Sequence, residues 1–162
     1  MTYLIFMIRL GNHLVIVLVL FLLCGCSNRK KAQFEKVLSE SGLIDNRILE
    51  DDLIYIIIPG QGCPSCLKMA QEFLKASNFK QSEFHFILTF YESRKRLKLI
   101  YGDSVLFRKN VYLDENSLFH NGGFYSMYPT VIKYGPSGFK LKNMDPNSYD
   151  IWRSLELGSY DF

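Results

Sequence analysis

The sequence predicts an α/β domain, a central mixed β-sheet flanked by helices on both faces. Three observations carry that expectation. Leu53–Ile58 is an unbroken apolar run rich in β-branched residues, the mark of a central strand buried on both sides. A helix-like stretch and then a second apolar strand, Phe84–Phe90, follow it, and a crossover helix between two strands makes the pair parallel. Later, Thr130–Tyr134 and Phe139–Leu141 flank Gly135-Pro136-Ser137-Gly138, which reads as an antiparallel hairpin with a four-residue connection.

The remaining elements follow in chain order. Ala32 to Gly42 places Phe34, Val37 and Leu38 at helical spacing and stops at a glycine, so it predicts a short helix. Pro59-Gly60-Gln61-Gly62 breaks the first strand. Pro64 then takes the first helical position, where its missing N–H costs nothing, and Met69, Ala70, Phe73 and Leu74 form an apolar stripe. Arg94 to Tyr101 predicts a helix with Arg94, Lys95, Arg96 and Lys98 solvated and Leu97, Leu99 and Ile100 turned inward. Val111-Tyr112-Leu113 is a short extra strand, Asn116 or Ser117 starts a helical turn, and Asn121-Gly122-Gly123 is a loop. Pro146 to Leu155, with Tyr149, Ile151, Trp152 and Leu155, forms a last helix.

Composition narrows the function classes. The chain has 162 residues, 48% of them hydrophobic and 15% aromatic, which supplies one ordinary core and argues against disorder. A formal charge of +3 is close to balance and lacks the basic footprint of a nucleic-acid binder. The four cysteines fall into two tight pairs, Cys24/Cys26 and Cys63/Cys66. The pairs separate an address from a chemistry.

The first pair ends an apolar run, Leu14 to Cys24, that follows Arg9. The run is shorter than the roughly 17–25 residues of a bilayer span and fits a signal-peptide apolar region of about 7–15. A spanning reading stays open because residues 3–8 are also apolar, and Met7 is an alternative start. Leu23-Cys24-Gly25-Cys26 resembles the lipobox of bacterial lipoproteins. That resemblance implies a signal peptide over residues 1–25 and lipidation of Cys26. Residues 26–50 would then supply the tether and short helix, and residues 51–162 the folded domain. It also implies a bacterial cell-envelope protein, held to the membrane by its lipid and facing the periplasm or the exterior. The other reading is cleavage by ordinary signal peptidase, with Cys26 left as a free thiol.

The second pair stands in Cys63-Pro64-Ser65-Cys66, directly after the buried strand and at a helix start. Two intervening residues in a first helical turn bring the sulfurs within bonding distance while leaving the first facing solvent. The positive end of the helix stabilises anionic sulfur, and the thiolate is the nucleophile. Cys63 is then the attacking sulfur and Cys66 the one that resolves the mixed disulfide. Half of a zinc site has the same spacing, but the second ligand pair is missing. His85 lies in the strand Phe84-His85-Phe86 as a core or edge histidine, and His120 lies in a solvated loop.

The strand–Cys-x-x-Cys–helix unit, with Tyr128-Pro129-Thr130 ahead of the hairpin, resembles the thioredoxin-like superfamily. The likeness runs from about Asp51 to Leu157 and is nearest to TlpA-like, membrane-tethered redoxins. It implies a thioredoxin-like sheet and a cis peptide bond at Pro129 opposite the cysteines. It also implies substrate binding by Tyr128, Pro129 and Thr130, with no cofactor beyond a redox-active Cys63–Cys66 disulfide. Partners would be protein thiols or disulfides and a separate electron donor. The chain departs from the family in two places. Gly62 replaces the aromatic residue often found before the first cysteine, and Ile56-Ile57-Ile58 lacks the buried acid of thioredoxin, leaving water or Glu72 to handle protons.

The uncharged Pro-Ser dipeptide predicts a thiolate pKa nearer thioredoxin's ~7 than the ~3.5 of a strong oxidant, which favours a reductant or isomerase. Phe124, Tyr125, Met127 and Tyr128 read equally as a grip for unfolded substrate and as a core cap at the sheet end. Two further functions stay open. One is a non-catalytic binding lipoprotein with a structural disulfide, although so short a loop gains little from its bridge. The other is copper delivery through the thiols with Met69 and Met127, which lacks a convincing histidine.

Overall fold

A computed structural model describes residues 29–43, 51–77 and 83–159. Contacts divide the chain into two compact units at Lys36/Val37, and the unit Val37–Phe162 carries the sheet. Residues 29–41 form helix α1, in which Phe34, Val37 and Leu38 are buried. The order then runs β1 (Leu53–Pro59), α2 (Pro64–Ala76), β2 (Phe84–Thr89), α3 (Arg94–Tyr101), α4 (Asp103–Leu106) and β3 (Val111–Leu113). After a wide helical turn at His120–Phe124 come β4 (Thr130–Gly135), β5 (Gly138–Asn143) and α5 (Tyr149–Glu156).

The five strands form one sheet in the order β3-β2-β1-β4-β5. β1 pairs in parallel with β2, and β2 with β3, while β4 runs antiparallel to both β1 and β5. The sheet is therefore mixed, as the crossovers and the hairpin require. β1 and β2 are buried at every residue, so their continuous apolar runs reflect cover on both faces.

One face packs Ile54, Ile56 and Ile58 with Phe84, Phe86 and Leu88 against Ala70, Phe73 and Leu74 of α2, with Leu97 of α3 and Trp152 and Leu155 of α5 in the same core. Phe73 lies at the middle of this layer, its ring 5.6 Å from Phe84 and 5.2 Å from Trp152. On the other face His85 stacks between Tyr55 and Tyr112, with ring centroids 5.2 and 5.7 Å away. The predicted core histidine is thus a core histidine. Its Nδ1 lies 3.3 Å from the Tyr112 hydroxyl.

Several boundaries differ from expectation. The hairpin pairs through Gly135↔Gly138, which leaves Pro136 and Ser137 as its loop rather than four residues. The last helix begins at Tyr149 because residues 146–148 form a turn. Leu99 is 80% exposed, so only Leu97 and Tyr101 of α3 are fully buried. The helical turn after β3 is capped by Asp114, whose side chain accepts from the amides of Leu118 and Phe119 at 2.7 and 3.0 Å. The turn itself opens at Ser117, as expected, its carbonyl accepting from Asn121 N at 2.8 Å.

Candidate functional site

Cys63 and Cys66 are joined as a disulfide, with their Cα atoms 5.4 Å apart. The backbone explains how they meet. Cys63 is the N-cap of α2, its carbonyl accepts the first helical bond from Leu67 N at 2.9 Å, and Pro64 opens the helix. Cys66 then lies within the first turn, where it is 1% exposed, whereas Cys63 is half-buried. No side chain caps this helix start, and no acid lies in its first turn. The partial positive charge of the first-turn amides is left to act on the sulfurs.

Two glycines set the loop before Cys63. A Cβ at Gly62 would lie 2.2 Å from the carbonyl oxygen of Met127, and φ there is +153°. Only glycine lets these backbones approach so closely. The approach lets Cys63 N donate to Met127 O at 2.8 Å. A Cβ at Gly60 would come within 2.6 Å of Phe90 O and Tyr91 Cα, and Gly60 N donates to Thr89 O at 2.8 Å. The cysteine loop is therefore held on one side by the chain after β2 and on the other by the chain before β4. The absence of an aromatic residue at position 62 has this steric cause.

The residues expected to bind substrate divide. No described peptide bond is cis, so the expected cis bond at Pro129 is not found. Pro129 is buried just ahead of the β1–β4 ladder, which starts at Thr130, so its missing N–H removes no ladder bond. Its carbonyl accepts from Met144 N at 2.7 Å. Thr130 is buried and its hydroxyl bonds Asn143 Oδ1 at 2.9 Å, while Tyr128 is half-buried with its amide on Ser126 Oγ at 3.2 Å. Met127 makes the hydrogen bond that joins this loop to Cys63.

The aromatic neighbourhood also divides. Phe124 is core, whereas Tyr125 and Met127 are 39% and 55% exposed. His120 is not simply solvated. It stacks on Phe90 at 4.6 Å and meets Tyr125 edge-on at 4.5 Å. Phe90, expected to close the second strand, lies just after β2 with φ +50°, a left-handed conformation that a bulky residue seldom adopts. Composition gave no hint of this three-ring cluster, because Phe90 and the loop that carries His120 and Tyr125 are thirty residues apart in the chain.

Glu72 lies on the exposed face of α2 with Lys68 3.8 Å away, turned from the face that buries Cys66, so it is not placed to move protons there. The buried acid of this sheet is Asp114. It is occupied by the Thr89 hydroxyl at 2.7 Å and by the amides it caps. An aspartate four residues before Leu118 was the readable signal for that cap.

Among the described residues, no three His, Cys, Asp or Glu side chains converge as a metal site. Cys24 and Cys26 lie outside the described residues. Chemically, a half-buried sulfur bonded to a buried one at an uncapped helix start can open to a dithiol and close again. The chain matches no protein-family model, no curated protein and no solved structure.

Proposed function

We propose that this protein is a thiol–disulfide oxidoreductase of thioredoxin-like fold, acting on protein substrates through Cys63 and Cys66 and held to a bacterial membrane by lipid on Cys26. The observation that carries the reading is the asymmetric disulfide in the first turn of α2, with Cys63 half-buried and Cys66 1% exposed. The strand order β2-β1-β4-β5, with the cysteines leaving the central parallel strand and an antiparallel hairpin beside it, supports the fold. A cis proline does not support it. The exposed Met127, bonded through its backbone to Cys63, and the exposed Tyr125 two residues before it support a surface for an apolar polypeptide.

The exchange is a two-electron transfer. The Cys63 thiolate attacks a substrate disulfide, one substrate sulfur leaves as thiolate, and Cys63 is joined to the other. Cys66 then loses its proton and attacks Cys63, which closes the intramolecular bridge and releases the second substrate thiolate. The uncharged Pro-Ser dipeptide favours running in this reducing direction or as an isomerase.

Cys66→Ser should accumulate mixed disulfides with envelope proteins, and Cys63→Ser should trap few. Non-reducing gels followed by partner identification read this directly. Equal trapping by both variants would refute the assigned roles. A reduction potential below about −300 mV would instead favour a structural bridge. The anchor has its own test. Labelled fatty acid should enter the wild type and not Cys26→Ala, and equal labelling would remove the lipoprotein reading.

A further inference from the structure

We propose that Ser65 is a catalytic residue of the redox site, its hydroxyl donating a hydrogen bond to the Cys63 thiolate in the reduced protein. The inference rests on the redox reading above and adds the group that selects which sulfur carries the charge.

Ser65 Oγ lies 3.3 Å from Cys63 Sγ and 4.0 Å from Cys66 Sγ. The first separation is that of an O–H···S hydrogen bond, and the second is marginal. Pro64 fixes the entry to α2, and Ser65 is the next residue of the same first turn. A serine hydroxyl rotates freely and can donate or accept, so it bonds a neutral disulfide sulfur weakly and an anionic sulfur strongly. Reduction therefore strengthens this contact, and strengthens it at Cys63.

Other stabilisers do not make that distinction as sharply. The helix N-terminus acts on both sulfurs, since both belong to the first turn. The Cys63 amide is already committed to Met127 O. No lysine, arginine or histidine stands within Cys63–Cys66 to do the work by charge. With Cys66 buried, its thiolate is the more costly of the two, so burial and the Ser65 hydroxyl act in the same direction. Cys63 becomes the attacking thiolate and Cys66 stays protonated until the mixed disulfide forms. By stabilising the reduced form, the hydroxyl also raises the reduction potential of the pair.

The full-length protein tests this without any substrate. In a Cys66→Ala background, Cys63 is the only sulfur of the motif, and its ionisation is followed by thiolate absorbance and by iodoacetamide alkylation against pH. Ser65→Ala should raise its pKa by about one unit, the size expected for one hydrogen bond to a charged group. Below both pKa values the thiolate fraction falls about tenfold. The remaining thiolate is about threefold more nucleophilic, so alkylation slows about threefold. With both cysteines present, and above both thiol pKa values, equilibrium with glutathione should shift about tenfold towards the disulfide, about 30 mV. Ser65→Thr keeps the hydroxyl and should restore both values. An unmoved pKa in Ser65→Ala, or a threonine variant that behaves like alanine, would overturn the proposal. A shifted pKa in a protein that traps no partner would keep Ser65's role and reject the oxidoreductase reading alone.

Discussion

The sheet has two ends, and they differ in what they leave strained or exposed. At the start of β1, next to the β4–β5 hairpin, polar groups are paired. Asp52 accepts from Ser137 N at 2.9 Å and faces Lys133 Nζ at 3.2 Å. A Cβ at Gly135 would lie 2.6 Å from Asp51 O, so the hairpin is seated on the β1 entry by close backbone contact. At the other end, after Pro59 and Thr89, close contact seats the cysteine loop, and Thr89 is paired with Asp114, but no side chain caps the loop's own helix. The helix start is uncapped, Phe90 takes a left-handed backbone, and Tyr125 and Met127 face solvent. The difference teaches where strain and exposed apolar surface are tolerated. At the end that carries the sulfurs a left-handed Phe90 and the exposed side chains of Tyr125 and Met127 are tolerated, while the hairpin seat is held by paired polar groups.

The comparison breaks most severely at Gly62. Gly62→Ala sets a Cβ against Met127 O, forces the loop away and removes the Cys63 N–Met127 O bond. Clash, backbone strain and the lost bond together predict a cost of about 4 kcal/mol in urea unfolding and a slower exchange reaction. An unfolding midpoint equal to wild type would show that the close approach is dispensable.

Asp114→Ala comes next. It leaves the Thr89 hydroxyl and the Leu118 and Phe119 amides without their acceptor. A lost cap plus buried donors predicts about 3 kcal/mol, with early hydrogen exchange at the Leu118 and Phe119 amides. Exchange at the hairpin should not change, because that end shares none of these bonds. Equal loosening of both ends would mean that the sheet transmits the damage.

The smallest effect belongs to the hairpin end. Burial alone would raise the Asp52 carboxyl, but hydrogen bonds from Ser137 and the Lys133 ammonium outweigh it and hold the group below the usual carboxylate range. A depressed folded pKa stabilises the protein above the unfolded value of about 4, and that contribution is lost as pH falls through the folded value. Asp52→Asn should therefore cost about 1 kcal/mol at neutral pH and converge with wild type in acid. Parallel stability curves at all pH values would remove Asp52 from the account.

Much of the frame was legible because it rests on local pattern. The unbroken apolar run Leu53–Ile58 could only be a doubly covered strand. Pro64 and the stripe Ala70, Phe73 and Leu74 read directly as a helix start and a core face, and even the three-residue strand Val111–Leu113 appears where expected. Cys-Pro-Ser-Cys likewise gave the disulfide and the exposed–buried order of its sulfurs, because both follow from one helical turn. By itself, then, the sequence determined most of the elements, the parallel β1–β2 pair, the antiparallel hairpin and the closeness of Cys63 to Cys66.

Tertiary structure decided what depends on distant backbones meeting. Met127 O accepts from Cys63 N because Gly62, on another loop, lets the two backbones approach, and the peptide bond at Pro129 is trans. The stacking of Phe90 with His120 and Tyr125 joins two distant stretches that no periodicity relates. The hairpin loop is only Pro136 and Ser137, because pairing extends through Gly135 and Gly138 while the turn is held against Asp52. Period and spacing describe one element at a time. Approach between loops, and the solvent exposure of what they carry, exist only once the sheet has brought its ends together.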